Sequence, residues 1–222
     1  MRSMRFLLTA MCAGIILLEG ACSFQTGGGG VKGSGVVQIE PRPVSRFTRI
    51  DLAGSGDVIV KQTGRESLTV RAEDNILPLL DTHVSNLTLS LGSSSSSYST
   101  TRGVQYLVEV KQLEGLSVSG SGSIEAQGIE CGTITIVLSG SGNISISGSA
   151  DALDLSIPGS GNYNGQNFRA RRAVVEISGS GNIIVNATDQ LDGRVSGSGS
   201  IRYIGTPEVR SSVTGSGSVS RF

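Results

Sequence analysis

A glycine motif that recurs about every twenty residues constrains the fold of this 222-residue chain more than any other feature. Each copy has an aliphatic residue, then Ser-Gly-Ser-Gly or a close variant, then Asn or Ser, and then a second apolar residue, as in Val118–Ile124. In six consecutive copies the first glycine is residue 120, 140, 159, 179, 197 and 215, so that neighbouring copies lie 18 to 20 residues apart. Such a period is typical of a solenoid, in which each repeat buries its apolar side against its neighbours.

Apolar and polar residues alternate on both sides of each glycine pair. Counted from the first glycine, the residues two before and four after are apolar in all six copies, and those one before and three after are polar or proline. Even offsets share one face of an extended chain, so the pattern predicts strands with both glycines on the inner face. We expect the chain to bend there, too close to the interior for a Cβ atom, and glycine also permits positive φ. With an upstream copy at Leu52–Val58, the predicted corner glycines are Gly54, Gly56, Gly120, Gly122, Gly140, Gly142, Gly159, Gly161, Gly179, Gly181, Gly197, Gly199, Gly215 and Gly217.

The repeat predicts an all-β fold, a parallel β-helix of about six rungs. Equivalent residues should stack about 4.8 Å apart, and parallel connections are usually right-handed. Asn143, Asn162 and Asn182 would form an outer amide ladder, beside a row of hydroxyls from Ser121, Ser141, Ser160, Ser180, Ser198 and Ser216.

The segment from residue 47 to 115 lacks the strict period. We expect irregular or antiparallel strands there, capping one end of the stack, because a stack of strands otherwise exposes an adhesive edge. Residues 73–80 break the alternation, which predicts a short helical turn or an apolar plug.

The N-terminus has the composition of a targeting segment. A basic start precedes a 13-residue apolar run, residues 6–18, too short to cross a bilayer comfortably but typical of a signal peptide over residues 1–21. Gly20-Ala21-Cys22 resembles the end of a bacterial lipobox, which predicts lipidation of Cys22 and a membrane anchor. Glu19 departs from that pattern, and the alternative is cleavage near Ala21 and a soluble secreted or periplasmic protein. Residues 22–46 would then be a Gly-rich tether, flexible as far as Gly35, leading to a domain over 47–222.

Charge and residue usage exclude several functions. Lys plus Arg and Asp plus Glu both number 18, so no basic footprint for nucleic acid exists. His83 is the sole histidine, which excludes a histidine-based metal cluster and offers a Ser-His triad no choice of partners. Asp154 and Asp192 share the same offset from the corner glycine but lie two rungs apart, so they are not expected to form an acid–base pair. Cys131 is predicted to be a small, partly buried side chain. We expect no catalytic residue, metal site or cofactor.

At the repeated corners, at Phe47–Asp57 and at Asp74–Pro78, the chain resembles the head GIN domain family of auto-transporter adhesins. The resemblance covers about residues 47–222 and implies a secreted or lipid-anchored bacterial β-helix without catalytic residues. The expected function is a non-catalytic module of the cell envelope that binds glycan or protein through its outer Ser and Asn ladders. Two alternatives stay open: a polysaccharide-active enzyme, and a scaffold that self-associates through its C-terminal rung, which ends at Phe222.

Overall fold

The computed structural model describes residues 30–93 and 98–222, and strands dominate these ranges. One short 3₁₀ helix, Leu77–Leu79, interrupts the described strands. The strands are β1 Val31–Lys32, β2 Val37–Arg42, β3 Arg49–Leu52, β4 Asp57–Gln62, β5 Ser67–Glu73, β6 Leu80–Ser85, β7 Thr88–Ser93, β8 Tyr98–Ser99, β9 Gln105–Val110, β10 Gly115–Val118, β11 Ser123–Leu138, β12 Asn143–Ile157, β13 Asn162–Ile177, β14 Asn182–Val195, β15 Ser200–Ile204, β16 Glu208–Val213 and β17 Ser218–Arg221.

The predicted β-helix is confirmed, with about five turns where the repeat count gave about six. Two parallel faces meet at the glycine corners. Face A, which follows each corner, contains β9, β4, the first halves of β11 to β14, β15 and β17. Face B, which precedes each corner, contains β3, β10, the second halves of β11 to β14, and β16. The strands β11 to β14 are 14 to 16 residues long because each continues from face A around a third side to face B.

The inward columns carry the apolar residues that the alternation predicted. Val118, Leu138, Ile157, Ile177 and Val195 are at most 1% exposed, and on the far side of the corner Ile124, Ile144, Tyr163, Ile183 and Ile201 are at most 2% exposed. Val213 in the last rung is 43% exposed, because no further rung of the described chain packs on it. Burial in the core therefore depends on having a rung on either side.

Antiparallel strands cap the N-terminal end, as expected. β5 pairs antiparallel with both β9 and β2 on face A, and β6 pairs antiparallel with β7 on face B. The 3₁₀ helix lies between β5 and β6, and Ile76 and Leu77 are buried there, so residues 73–80 form both a helical turn and an apolar plug. Pro41 lies in β2, whose outer edge is therefore one backbone donor short, a common protection of sheet edges.

The structure differs from the expected tether at residues 31–35. β1 pairs with β8, and the Gly33 N–H donates to the Ser99 carbonyl at 2.8 Å. The described part of this segment is therefore bound to the cap and belongs to the folded domain.

The glycine corners stack directly on one another. From the corner at Gly120 onwards, a Cβ atom at the first glycine would lie 1.9 to 2.6 Å from the carbonyl oxygen of the equivalent glycine in the preceding rung. From Gly122 onwards, a Cβ atom at the second glycine would lie 1.9 to 2.3 Å from the carbonyl oxygen of its own equivalent. The second glycine would also collide with the inward aliphatic side chain of the rung before, such as Leu138 against Gly161 at 2.6 Å. The obstacle to a Cβ therefore lies mainly along the solenoid axis. Of the corner glycines, Gly215 alone among the described residues has φ in the left-handed region, so close approach rather than positive φ requires glycine.

Two glycine substitutions test this explanation. Gly140→Ala places its Cβ 1.9 Å from the Gly120 carbonyl, and we expect it to lower the free energy of unfolding by about 2 kcal/mol or more, as overpacking does. Gly54→Ala meets no atom within 4 Å, because its corner is the first of the stack. We expect that variant to be neutral or slightly stabilising, since alanine restricts the unfolded chain. Urea denaturation of both proteins gives the comparison, and equal losses would show that stacking is not the reason for glycine.

Candidate functional site

An amide ladder runs along face A beside the corners. The Asn162 Nδ2 group donates to Asn143 Oδ1 at 3.0 Å, and the Asn182 Nδ2 group donates to Asn162 Oδ1 at 3.1 Å. The three residues are in register on adjacent rungs and all are exposed. The ladder fixes each amide in one orientation, and each keeps an unused N–H and an oxygen lone pair directed to solvent.

A row of serine hydroxyls lies at the corners next to this ladder. Each corner serine is exposed, and the backbone N–H groups of Ser141, Ser160, Ser180 and Ser198 donate to the preceding corner carbonyl at 3.1 to 3.2 Å. The backbone bonds hold the serines at one spacing, so that face A presents regular columns of hydroxyl and amide groups.

The third side of the solenoid is less regular and contains two clefts. On β11 the backbone of Glu130 faces the Gln62 side chain, whose Nε2 donates to the Glu130 carbonyl at 3.1 Å and whose Oε1 accepts from the Glu130 N–H at 3.0 Å. Gln62 thereby ends the third side at its N-terminal edge with a backbone-like pair of hydrogen bonds.

The first cleft, the Arg49 cleft, lies beside this edge and has a volume of about 400 Å³. It has mixed charge, because Arg49 is accompanied by Glu114 and Glu130. Its other lining residues are Gln112, Leu113, Cys131, Gly132, Thr133 and Thr135. Burial raises the pKa of the Cys131 thiol to about 11, so this free cysteine is protonated and unreactive at neutral pH.

The second cleft lies on the third side, where β14 has fewer residues than the neighbouring β13. Gly165 pairs with Val185 and Arg169 with Asn186, so that residues 166–168 of β13 have no partner on β14 and form a bulge. Asn186 Nδ2 donates to the Gln166 carbonyl at 3.1 Å, and the Gln166 N–H donates to Asn164 Oδ1 at 3.2 Å, which holds the bulge in place. The cleft, which we name the Arg169 cleft, has a volume of about 340 Å³. It is lined by Gly148, Ser149, Gln166, Asn167, Arg169 and Asn186.

A buried carboxylate holds the N-terminal segment to the cap. Glu73 is fully buried, and it makes no ion pair with a cation of the described chain. Glu73 Oε2 accepts from the Thr100 hydroxyl at 2.5 Å and the Thr101 N–H at 3.3 Å. Glu73 Oε1 accepts from the Thr101 hydroxyl at 2.8 Å and the Gly35 N–H at 2.9 Å. The hydrogen bond from Thr100 is the largest of the effects that lower the pKa of Glu73, and together they outweigh the opposing effect of burial.

We call the hydrogen bonds of Glu73 with Gly35, Thr100 and Thr101 the Glu73 clasp. The neighbouring Asp74 and Asn75 extend it. Asn75 Oδ1 accepts from the Ser34 N–H at 2.9 Å and Asn75 Nδ2 donates to the Lys32 carbonyl at 2.8 Å, while the Ser34 hydroxyl donates to Asp74. In the sequence, Asp74–Pro78 indicates only a family resemblance. The structure assigns its first two residues to fastening the N-terminal segment.

The remaining sequence candidates are dispersed. Asp154 and Asp192 are separated by Val174 in the face B register, as predicted. His83 is exposed on β6 and lies 3.2 Å from Asp81. In the described ranges, no three His, Cys, Asp or Glu side chains form a group that could hold a metal ion.

Cys22 and the predicted signal peptide lie outside the described residues. Within the described ranges there is no helix long and apolar enough to cross a membrane.

The described chain is a parallel β-solenoid, capped by antiparallel strands, whose face A carries columns of polar groups. The chain belongs to the family described as "Putative auto-transporter adhesin, head GIN domain", which matches residues 46–207 and confirms the resemblance. It is therefore an adhesin-like surface module, and the family indicates a location at the cell surface or envelope.

Solved structures of bacterial proteins share the fold. A putative adhesin from Bacteroides fragilis NCTC 9343 is 25% identical with a TM-score of 0.72, covering 87% of this chain and 100% of that one. A putative lipid binding protein from Parabacteroides distasonis ATCC 8503 is 25% identical with a TM-score of 0.54, covering 86% and 99%. A putative adhesin from Parabacteroides merdae ATCC 43184 has a TM-score of 0.57 at 21% identity, covering 86% and 98%, which shows the fold alone. No curated protein matches this chain.

Because of the Glu73 clasp, the stability of the fold should decrease as the solution is acidified. Because its folded-state pKa lies below the ordinary value of 4.5, the carboxylate stabilises the fold fully above that value, and this contribution is lost as the pH falls through the folded pKa. Glu73→Gln should be less stable than wild type at neutral pH, and the difference should shrink as the pH falls below 4.5 and through the lowered folded-state pKa. Urea midpoints across the pH range measure this, and a difference that is constant with pH would contradict a charged Glu73.

Proposed function

We propose that this protein is a non-catalytic adhesin of the bacterial envelope that binds a polysaccharide through the amide ladder of face A. The observation that carries the proposal is the chain of hydrogen bonds from Asn182 through Asn162 to Asn143. These bonds orient the side chains before any ligand arrives, which lowers the entropy lost on binding.

The chemistry of the ladder fits a glycan better than a protein partner. Its free groups are amide and hydroxyl donors and acceptors, which match sugar hydroxyls. A protein interface usually centres on buried aromatic or other apolar anchors, and the ladder and the corner serines contain none. Each contact is weak, but a polymer that follows several rungs gains affinity from many contacts at once.

A lipid on Cys22 would hold the cap end of the solenoid near a membrane. Eight residues, 23–30, separate Cys22 from β1. A fully extended chain of that length spans at most roughly 30 Å. Hydrogen bonds from Gly33 to Ser99 and from Gly35 to Glu73 fasten this segment to the cap, so the cap and not the ladder rungs would bear the pull of a membrane anchor.

The two alternative functions have less support in the geometry. Asp154 and Asp192 share a column but are separated by an intervening rung, so these two carboxylates do not form an acid–base pair at a scissile bond. Self-association through the last described rung is disfavoured because polar residues occupy two of its core positions. Ser211 is equivalent to the buried Val175 two rungs earlier, and Arg221 is equivalent to the buried Val185. Inward charge is a common protection of sheet edges.

A glycan array tests the ladder. We expect wild-type protein to be retained by at least one bacterial polysaccharide, and the triple variant N143A/N162A/N182A to lose about tenfold or more in retention through lost avidity. The matched control is T135A/S156A, which removes outward polar groups from face B. Retention no higher than that of an unrelated β-solenoid, or equal retention of the ladder variant, would refute the proposal; retention only on immobilised proteins would replace the glycan by a protein partner.

The intact mass of membrane-extracted protein tests the anchor. We expect a mature chain that begins at Cys22 and carries the added mass of acyl chains, and Cys22→Ala should move the protein from the membrane fraction to the soluble fraction. An unmodified mass beginning near Ala21 would show instead a secreted or periplasmic protein.

A further inference from the structure

We infer that the Arg169 cleft is a binding site for a carboxylated sugar, such as the uronic acid residue of an acidic polysaccharide. The site lies on the third side of the solenoid and is separate from the amide ladder. The inference therefore stands whether or not the ladder binds a glycan.

The guanidinium of Arg169 is exposed and takes part in no ion pair with any carboxylate of the described chain. Its neighbour Arg171 contrasts with it: Arg171 Nε lies 3.1 Å from Asp189 and Arg171 Nη1 lies 3.7 Å from Asp151. In the column of Arg169 the nearest acidic residue is Glu130, two rungs away through Ser149, at roughly 10 Å. The full charge of Arg169 is therefore available to an anion.

The groups around Arg169 suit a sugar ring. The Ser149 hydroxyl and the side-chain amides of Gln166 and Asn167 make no hydrogen bond within the described chain. Ser149, Arg169 and Asn186 are in register on three successive rungs and line the same cleft, so one column supplies a hydroxyl, a guanidinium and an amide. A guanidinium binds a carboxylate through two parallel hydrogen bonds, and the neighbouring neutral groups can bind ring hydroxyls.

The bulge is the reason that these groups converge. Residues 166–168 have no β14 partner, and the exposed Gln166 and Asn167 stand at the rim, while Phe168 is buried and anchors the bulge in the core. Bulges commonly redirect side chains next to binding sites. The volume of about 340 Å³ lies at the lower end of the range of small-ligand sites, which fits one or two sugar rings.

Charge distinguishes this cleft from the Arg49 cleft. There Glu114 and Glu130 line the same space as Arg49, and they would repel an anionic ligand. No carboxylate lines the Arg169 cleft among its described residues. Selectivity for an acidic sugar therefore belongs to the Arg169 cleft.

Calorimetric titration with trigalacturonate and with its methyl ester, a ligand of nearly the same shape without the charge, tests the inference. At low ionic strength, where screening is weak, we expect wild-type protein to bind the acid about tenfold or more tightly than the ester, since bidentate charged pairs are the strong ones. Arg169→Ala should abolish this preference, and Arg169→Lys should restore only part of it because lysine lacks the planar fork.

Arg172→Ala is the matched control, because it removes the same charge from an exposed position of β13 outside the cleft. It should leave the preference for the acid unchanged. Equal binding of acid and ester, an unaltered Arg169→Ala variant, or an equal loss in Arg172→Ala would overturn the inference. Inorganic phosphate that bound more tightly than trigalacturonate in an Arg169-dependent manner would overturn the assignment to a carboxylate.

Discussion

Each corner of this solenoid occupies space that a side chain on the next corner would need. The Gly120 carbonyl lies where a Cβ of residue 140 would be, and the Gly140 carbonyl bears the same relation to residue 159. Because the glycines have no Cβ atom, the rungs lie close enough for the corner N–H groups to reach the preceding carbonyl oxygens, at 3.1 Å for Ser141. The inward aliphatic columns and the amide ladder depend on that register, since a slip of one residue would reverse every side chain.

Regular stacking creates a surface, and its interruptions create sites. Along face A the same offset recurs on every rung, which yields a ladder of equivalent groups suited to a repeating polymer. On the third side the rungs change in length, and the bulge at residues 166–168 places a guanidinium among amides and a hydroxyl. An adhesin built on this plan can thus combine a broad, weak surface with a local site of defined charge.

The N-terminal cap covers the end of the core and also fastens the N-terminal segment. The antiparallel strands cover the end of the core, and Pro41 protects the outer edge of β2. Glu73 then joins Gly35 to Thr100 and Thr101 by accepting hydrogen bonds from neutral donors. A buried carboxylate without a cation is costly unless its oxygens are satisfied, and here four donors satisfy them.

The sequence by itself determined the β-helix, the inward columns, the amide ladder and the family. This was possible because in-register stacking brings residues one repeat apart into contact. The spacing of Asn143, Asn162 and Asn182 by one repeat was therefore enough to predict that they contact one another. It even contained a sign of the Arg169 cleft, since the rung after Gly179 is 18 residues long where the one before it has 20.

Only the tertiary structure decided the contacts that have no period. Gln62 meets Glu130 across 68 residues of sequence, and Glu73 meets Gly35 across 38. The structure also showed that a Cβ atom on a corner glycine would collide with the preceding rung. Alternation predicts which face a residue occupies but not how near the neighbouring rung lies. Side-chain contacts of this kind depend on where two distant segments are brought by the fold, and no local pattern records that distance.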